Sequence, residues 1–381
     1  MTIKKSNLYL RDISKLKVEI SSQIEKALQL LKENSTHPSL HNKNIKCKRA
    51  DNLYSIRVNK QYRMIYFKYE KYLELNRLLD HDKYDKTYKG LLMAKLLITG
   101  STGFIGRYFI NKYKDKYEIK SFSFRKDDFK ALDCSGIDVV FHLSALVHQM
   151  GGASAAEYER VNVTHTLELA QKAKNSGVKQ FVFMSTVKVY GEESDGVYTE
   201  KSVCHPEDEY GKSKLKAELE LQKLEDENFK ISIIRTPIVY GYGVKANIKS
   251  LINLVNKIPI LPFGGIKNRR SMVYVGNLCH LVDEVIIQQK GGVFLASDDE
   301  ALSTTRLVEL IAKNLNKKVY LVKIPFFEAL LKLLKPSFHK RLYRSLEVDN
   351  TITKEELFGE AKASLPYSVG EGIKLMVQGK K

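Results

Sequence analysis

The stretch KLLITGSTGFIGRYF, residues 95–109, decides the fold. An apolar run at 96–99 precedes three glycines spaced GxxGxxG, and a helix-forming segment follows them. A second apolar segment, YEIKSFSF (117–124), comes next at the distance of a βαβ unit. Glycines in this order between a strand and a helix are typical of a dinucleotide-binding turn.

The fold class predicted from this unit is α/β, a doubly wound Rossmann-type parallel sheet. We expect a smaller substrate subdomain mainly from about residue 244 onward and a small α+β domain in front, with domains at 1–90 and 93–381. The first glycine would permit a tight turn, the second would let the backbone approach a diphosphate, and the third would let the helix pack close to the strand. The predicted cofactor contacts of the turn are Gly100, Gly103, Phe104, Ile105 and Gly106.

The second strand lacks the terminal acidic residue that binds the ribose hydroxyls of NAD. The segment SFRK stands there, and its Arg125 suits the 2′-phosphate of NADP, so both cofactors stay open and NADP is slightly favoured. The segment GIDVVFHLSALVH (136–148) is predicted to be the fourth strand. Ser144 and Ala145 at its end would leave room for the cofactor, and Asp133 before it would bond the adenine.

A catalytic pair is predicted from FVFMSTVKVYGE (181–192) and YGKSK (210–214). The first is an apolar strand whose end carries a hydroxyl at Thr186. On a helix, residues four apart share a face, so Tyr210 and Lys214 would stand side by side. A lysine ammonium and an oxidised nicotinamide both stabilise a phenolate, which would make Tyr210 a base, while Thr186 bonds the same substrate oxygen.

These motifs resemble the extended short-chain dehydrogenase/reductase family, in its NAD-dependent epimerase/dehydratase group, over residues 94 to about 375. The resemblance also rests on YxxVNVxxT from Tyr158, IRxPxVYGxG at 234–243 and RxxV from Arg270. It implies further cofactor contacts at Leu143, Asn162 and Pro237, and substrate contacts at Ser185, Asn247 and Arg270. An amide and a guanidinium can grip diphosphate oxygens, which favours Asn247 and Arg270 for that group. The alternative is a helix cap and a surface salt bridge.

Within this family the chain resembles UDP-sugar 4-epimerase-like proteins of surface-polysaccharide clusters, a subgroup that includes 4-keto-sugar reductases. The resemblance implies an NAD(P)-dependent 4-epimerase or 4-keto-sugar reductase acting on a UDP-hexose or UDP-N-acetylhexosamine, and a homodimer. Nucleotide-sugar 4,6-dehydratases carry an acid pair directly after the strand-end threonine. Val187 and Lys188 stand there in this chain, which disfavours dehydration.

Three segments of the front part are HPSLHNKNIK (37–46), YSIRVNKQYRMIYF (54–67) and LLDHDKYDK (78–86). With them, almost all of residues 4–89 resembles the RelE/ParE-like toxin superfamily. A helical hairpin is predicted over 12–34 and a small antiparallel sheet over 53–80. The resemblance implies RNA contacts on the sheet, proton transfer by a nearby side chain, a basic rim, and RNA or an antitoxin as partner. The candidates are Arg57 and Arg63 for RNA, His81 or Tyr84 for proton transfer, and Lys46, Lys48 and Arg49 for the rim. The alternative is that the arginines cap the sheet or pair with carboxylates.

Charge is concentrated in this front part. Residues 1–92 hold 20 Lys and Arg against 10 Asp and Glu, whereas the other 289 residues hold 43 against 34. A polyanionic partner or a lysine-rich solvated surface would explain the excess. A further alternative is that Met93 marks the start of a second gene joined by read-through, so that the halves share no task.

The remaining features exclude several classes of protein. The four cysteines have neither zinc-site nor CxxC spacing, which predicts no metal site and a cytoplasmic location. No run of about eighteen apolar residues is present, so we expect no transmembrane segment. The segment at 324–346 is apolar on one side and basic on the other, which predicts a packed domain helix or, alternatively, contact with an anionic membrane surface.

Overall fold

A computed structural model of the chain describes residues 2–14, 16, 18–45, 52–70, 72–81, 83–84, 94–147, 153–361 and 363–379. Met93 and the predicted rim of Lys46, Lys48 and Arg49 lie outside the described residues. The chain divides into two compact units, residues 1–94 with 113–118, and residues 95–112 with 119–381.

The first unit contains the predicted antiparallel sheet. The range 12–34, predicted as a helical hairpin, instead holds one long helix, Val18–Glu33, and the last two residues of a shorter one, Asn7–Ile13. The sheet order is β1-β5-β4-β3-β2, and β3, β4 and β5 pair antiparallel as predicted. Strand β1, parallel to β5, was not predicted, because a four-residue strand at a sheet edge has too short a pattern. Ile24 and Leu31 of the second helix pack on Ile56, Met64 and Leu75 of the sheet. The elements are β1 (Thr2–Lys5), α1 (Asn7–Ile13), α2 (Val18–Glu33), β2 (Lys43–Asn44), β3 (Leu53–Arg57), β4 (Tyr62–Lys68) and β5 (Tyr72–Asp80).

A six-stranded sheet of order β15-β11-β9-β8-β6-β7 forms the centre of the second unit. The pairs β6–β8, β8–β9, β9–β11 and β11–β15 are parallel, which confirms the predicted fold class. The strands are β6 (Lys95–Thr99), β7 (Glu118–Phe122), β8 (Val139–His142), β9 (Gln180–Thr186), β11 (Lys230–Thr236) and β15 (Gly292–Leu295). Apolar side chains of the sheet, such as Leu97, Val140 and Phe181, pack with the helical residues Leu169 and Leu221.

The segment predicted as the fourth strand is the third. Residues 123–138 form turns and bends rather than a strand, so the chain passes from β7 directly to β8. Strand β6 therefore lies between β7 and β8, and the chain direction across the sheet reverses there. In open α/β sheets, ligands bind at the carboxyl ends of the strands at such a reversal.

Helices join these strands and continue into the C-terminal part. They are α3 (Phe104–Tyr113), α4 (Ala155–Tyr158), α5 (His165–Asn175), α6 (Glu209–Gln222), α7 (Ala246–Lys257), α8 (Val275–Gln288), α9 (Thr304–Asn314), α10 (Phe327–Leu334), α11 (Pro336–Tyr343), α12 (Thr351–Phe358) and α13 (Val369–Gln378). A π-helical segment, Glu159–Thr164, connects α4 to α5. Three short parallel pairs complete the unit: β12 (Ile238–Tyr240) with β14 (Met272–Tyr274), β13 (Ile260–Leu261) with β16 (Tyr320–Leu321), and β10 (Val197–Tyr198) with β17 (Glu347–Val348).

Candidate active site

The glycine turn lies at the reversal between β6 and β8. Gly100 has φ +68°, a conformation that favours glycine. A Cβ on Gly100 would lie 2.9 Å from Leu143 C and Ser144 N, the residues that follow β8. The predicted neighbours Leu143 and Ser144 therefore sit directly against the turn, and Ala145 follows them.

The third glycine lets the helix begin close to the strand. A Cβ on Gly106 would lie 2.6 Å from Gly100 O, and one on Gly103 would lie 3.0 Å from the same oxygen. Helix α3 begins at Phe104, so its first amides, including Ile105, lack partners within the helix. The glycines leave a space beside the first turn of α3 that side chains would fill. This space, with the amides of the helix N-terminus, fits the diphosphate of a dinucleotide.

A chain of buried hydrogen bonds holds β6, β8 and α5 together behind the turn. Thr99 Oγ1 accepts from Leu143 N and Ser144 N, so its own proton is donated to His142 Nδ1 at 2.8 Å. His142 Nε2 then donates to Thr166 Oγ1 at 3.0 Å, and Thr166 donates to Asn162 O. Burial lowers the pKa of His142 to about 3, so the imidazole stays neutral. No role of His142 was predicted from the sequence.

A carboxylate is present near the end of β7 after all. Asp127 Oδ2 accepts a hydrogen bond from Ser123 N at 2.7 Å, because the chain turns back directly after the strand. Arg125 is exposed on the same turn. Asp133 accepts from Ser135 N at 2.8 Å with one carboxylate oxygen, and its exposed side chain leaves the adenine contact a prediction.

The start of α6 is fixed against the end of β9. Asp208 caps the helix by accepting from Gly211 N at 2.7 Å, and Lys188 Nζ pairs with Asp208 at 2.6 Å and with Glu192 at 2.7 Å. A Cβ on Gly211 would lie 2.8 Å from Lys188 O, so the helix approaches the backbone there. The start of the helix that carries Tyr210 is therefore tied to the segment directly after Thr186. Lys188, which the sequence analysis considered only as a departure from the dehydratases, anchors the helix.

Tyr210 and Lys214 share a face of α6, but their ionisation differs from the expected one. Burial and the nearby Asp208 raise the pKa of Tyr210 above its usual range, and burial lowers the pKa of Lys214 to about 7. Lys214 Nζ donates to Met184 O at 2.8 Å and lies 4.2 Å from the centre of the Phe183 ring. In the protein itself, burial outweighs the phenolate stabilisation expected from the lysine.

Glu218 extends the same helical face and was not predicted. Its carboxylate accepts from Ser185 Oγ and from Arg235, whose Nη2 lies 2.6 Å from Glu218 Oε2. Arg235 also donates to Tyr190 OH at 2.8 Å. The sequence does carry a signal for Glu218. It lies eight residues after Tyr210, so it is a carboxylate on the same side of the helix, where apolar residues are expected. Ser185 is 2% exposed and its hydroxyl donates within this cluster, so a substrate contact by Ser185 stays a prediction.

Asn162 likewise acts within the fold. Its side chain accepts from Leu146 N and donates to Leu146 O and Ser213 Oγ, and it is fully buried. Both amide donors are used within the fold, and a cofactor contact by Asn162 stays a prediction. Asn162 ties the loop after β8 to helix α6.

Comparison with known proteins agrees with this geometry. Residues 96–295 match the NAD dependent epimerase/dehydratase family, and a UDP-glucose 4-epimerase from Vibrio cholerae is 37% identical over 315 residues, which cover 74% of this chain and 94% of that protein. The chain belongs to the NAD-dependent epimerase/dehydratase family. As an enzyme of this family it uses a nicotinamide dinucleotide, and the residues of the turn fit that group.

Solved structures share the fold at lower identity. The UDP-glucuronic acid 4-epimerase from Bacillus cereus in complex with NAD aligns with a TM-score of 0.58 and 20% identity, covering 74% of this chain and 97% of that chain. The dTDP-4-dehydrorhamnose reductase from Bacillus anthracis in complex with NADP aligns with a TM-score of 0.61 and 19% identity, covering 76% and 100%. The front part matches separately, since residues 21–86 match a ParE-like toxin domain, which confirms that resemblance.

In this epimerase-family unit, Asn247 and Arg270 line one cavity of about 320 Å³. Arg341 of α11 lines it too and donates to Asn247 Oδ1 at 3.4 Å. Arg270 Nη1 donates to Arg344 O at 3.0 Å. Most other lining residues are apolar, so the cavity combines two guanidinium groups with an apolar wall. Arg341 was missed because the basic side of its segment was treated as a whole.

A short segment of the chain, from the end of β11 to the start of β12, connects the cavity with the edge of the sheet that carries Thr186. Thr236, at the end of β11, is level with Thr186 of β9, and Pro237 is buried directly after it. Ile238, the next residue, lines the cavity. The cavity wall at Ile238 is therefore only two residues away from Thr236, which lies beside Thr186 in the sheet.

The ParE-like unit brings two of its candidate residues, Arg63 and Tyr84, together. Arg63 is 5% exposed, and its Nη2 donates to Ser55 Oγ at 2.9 Å and to His41 O at 3.2 Å. Tyr84 OH lies 3.1 Å from Ser55 Oγ, and its ring lies 5.0 Å from the Arg63 guanidinium. This arrangement favours the structural role of Arg63 that the sequence left open. Arg57 is paired with Arg63 across β3 and β4, and His81 N donates to Gln61 O, so RNA contact by either stays a prediction.

Proposed function

We propose that the chain interconverts a hydroxyl and a keto group at C4 of a UDP-hexose or UDP-N-acetylhexosamine, as a 4-epimerase or a 4-keto-sugar reductase in surface-polysaccharide precursor synthesis. The observation that supports the proposal is the Lys188–Asp208 ion pair, which ties the start of the helix that carries Tyr210 to the segment directly after Thr186. The 37% identity to a UDP-glucose 4-epimerase supports the same reaction class.

The bound nicotinamide would take a hydride from C4 or deliver one, and its oxidised form would favour the phenolate of Tyr210. Tyr210 takes the proton of the C4 hydroxyl during oxidation and returns it during reduction. Its raised pKa leaves the phenol protonated before ligands bind, which suits the donor role during reduction. For oxidation the phenol must first lose this proton to solvent, and the positive charge of the bound oxidised nicotinamide would favour that loss. Thr186 donates a hydrogen bond to the same oxygen, and the Met184 carbonyl fixes Lys214.

The cavity supports a nucleoside diphosphate as the carrier of the sugar. Arg270 and Arg341 would bind the diphosphate oxygens, since a guanidinium binds them in a bidentate fashion. The apolar wall, which includes Phe263 and Leu307, would pack on the base and ribose. On the cofactor, exposed Arg125 supports the slight preference for NADP, whereas Asp127 at the same turn supports NAD.

The test is product analysis with the full chain and two substrate classes. Incubation with UDP-glucose or UDP-N-acetylglucosamine should give the C4 epimer, seen by NMR, without net consumption of cofactor. A reductase should instead consume one reduced cofactor for each 4-keto sugar converted. No change at C4 of either class, with cofactor bound, would overturn the proposal.

A further inference from the structure

Helix α10 has no buried side chain, although it is mostly apolar. Phe326, which precedes it, is 88% exposed, Leu333 is 79% exposed, and Leu334 is 66% exposed. Leu330, Ile324 and Phe338 extend the exposed apolar area to both sides of the helix. We call these six residues the α10 surface. The prediction that residues 324–346 pack as a domain helix therefore fails for α10, whereas His339 and Leu342 of α11 are buried. Exposed apolar patches of this kind mark interaction sites.

The α10 surface is bordered by cations. Residues 322–344 hold six Lys and Arg against the single acid Glu328. Lys323, Lys332 and Lys335 are exposed, and none of them pairs with a carboxylate in the described part of the chain. An exposed apolar helical face with a lysine border is the pattern of helices that lie in a membrane interface.

The backbone holds the most exposed side chain outward. Phe326 has φ +60° and ψ −1°, in the left-handed region that bulky residues rarely occupy. Such a conformation costs free energy, and it places an aromatic ring in solvent where it packs on nothing to offset that cost. The conformation is therefore consistent with a ring that is presented to a partner.

The helix is attached to a well-packed neighbour, so the surface has a fixed orientation. Glu328 Oε1 lies 3.2 Å from Nε2 of His339, which is 4% exposed and stacks on Tyr343 of α11. Leu342 of α11 is buried and lines the cavity described above. The α10 surface is thus attached, through α11, to the residues that line the cavity.

We propose that the α10 surface docks onto an anionic phospholipid membrane. Two partners could cover this surface, a membrane or a second copy of the chain, and charge favours the membrane. The lysine border is complementary to anionic headgroups and would repel the same border on a second copy. None of the described helices is long and apolar enough to cross a membrane, so docking is interfacial. The exposed side chains enter the headgroup region, and the lysines pair with phosphates.

The test uses the full chain and cosedimentation with phosphatidylcholine vesicles, with and without phosphatidylglycerol. The parent chain should sediment with the anionic vesicles and be released by salt. Leu333→Glu should lower the vesicle partition coefficient by about tenfold or more, and the double variant Lys332→Glu/Lys335→Glu should lower it similarly. Val203→Glu, at a residue 71% exposed elsewhere in the unit, is the matched control and should bind like the parent.

These variants should keep the thermal unfolding temperature of the parent, because the altered side chains are exposed. Equal binding of Leu333→Glu and the parent would overturn the proposal, as would failure of the parent to bind anionic vesicles. A parent dimer that Leu333→Glu converts to a monomer, without vesicle binding by either, would assign the surface to a second copy and also overturn it.

Discussion

The guanidinium of Arg235 donates hydrogen bonds to both carboxylate oxygens of Glu218, at 2.6 Å from Nη2 to Oε2 and 3.2 Å from Nε to Oε1. Arg235 lies on β11 and Glu218 on α6, and both side chains are buried. The pair fixes the helix that carries Tyr210 and Lys214 to the sheet. The position of Tyr210, the proposed proton-transfer group, therefore depends on an ion pair that lies two helical turns away.

Replacing Glu218 by glutamine should destabilise the fold strongly. The change leaves the Arg235 charge buried without its counter-charge, so the free energy of unfolding should fall by about 3–5 kcal/mol. Urea denaturation measures it. Glu220→Gln is the control, because Glu220 pairs with exposed Lys223 on the surface of the same helix and should change stability by less than about 0.5 kcal/mol. Equal effects of the two changes would show that the buried pair does not hold α6.

The buried Lys214 should make stability depend on pH above neutrality. Its pKa is about 7 in the folded chain, whereas an unfolded chain keeps a lysine near about 10.4. Between these values the unfolded chain binds more protons, so the free energy of unfolding rises with pH by up to about 1.4 kcal/mol per pH unit. Lys214→Met should remove this contribution when urea midpoints are compared across the window. Parallel profiles for the parent and Lys214→Met would contradict the assignment, and exposed Lys212→Met should match the parent.

The cofactor preference should divide between two residues of one turn. Arg125→Ala should weaken binding of NADP(H) and leave NAD(H) nearly unchanged, because only NADP carries the 2′-phosphate. Asp127→Asn should weaken NAD(H) more, since a carboxylate suits the ribose hydroxyls. Fluorescence titration of both cofactors measures the effects, with Lys126→Ala as the control at the next exposed position. If neither change alters the ratio of the NADP(H) and NAD(H) affinities, this turn does not contact the 2′ position of the adenosine ribose.

The front unit should fold and act apart from the rest. It has its own core of Ile24, Leu31, Ile56, Met64 and Leu75, and the sheet of the other unit is complete without it. Expressed separately, residues 93–381 should unfold cooperatively and bind the cofactor like the full chain. Residues 1–90 should carry any RNA affinity, which would weaken steeply with salt. Loss of cofactor binding by residues 93–381 would place the boundary elsewhere.

The sequence was sufficient wherever local chemistry determines the structure. The glycine turn was predicted between a strand and a helix, and it lies there. The glycines identify it because Gly100 has a positive φ and Gly106 packs too close to the turn for a side chain. The pairing of Tyr210 with Lys214 follows from helical spacing alone.

What the sequence could not provide depends on distant contacts. Asn162 and Ser185 were predicted to face ligands, and their partners within the fold, Ser213 and Glu218, lie 51 and 33 residues away. Arg341 reaches the cavity from a helix 94 residues after Asn247. Nor does a pattern of apolar and basic residues reveal that α10 leaves its apolar side chains exposed, because a buried helix and an interfacial one share that pattern.

The most direct measurement of the central claim is turnover of a UDP-sugar at C4 by Tyr210→Phe with its cofactor bound. The phenylalanine keeps the ring beside Tyr158 and removes only the hydroxyl, so cofactor affinity should stay close to that of the parent. Turnover should fall by about a hundredfold or more, as expected for the loss of a positioned acid/base. Tyr242→Phe, at a residue 60% exposed, should keep full activity. Turnover by Tyr210→Phe equal to that of the parent would contradict the assignment of Tyr210 as the proton-transfer group.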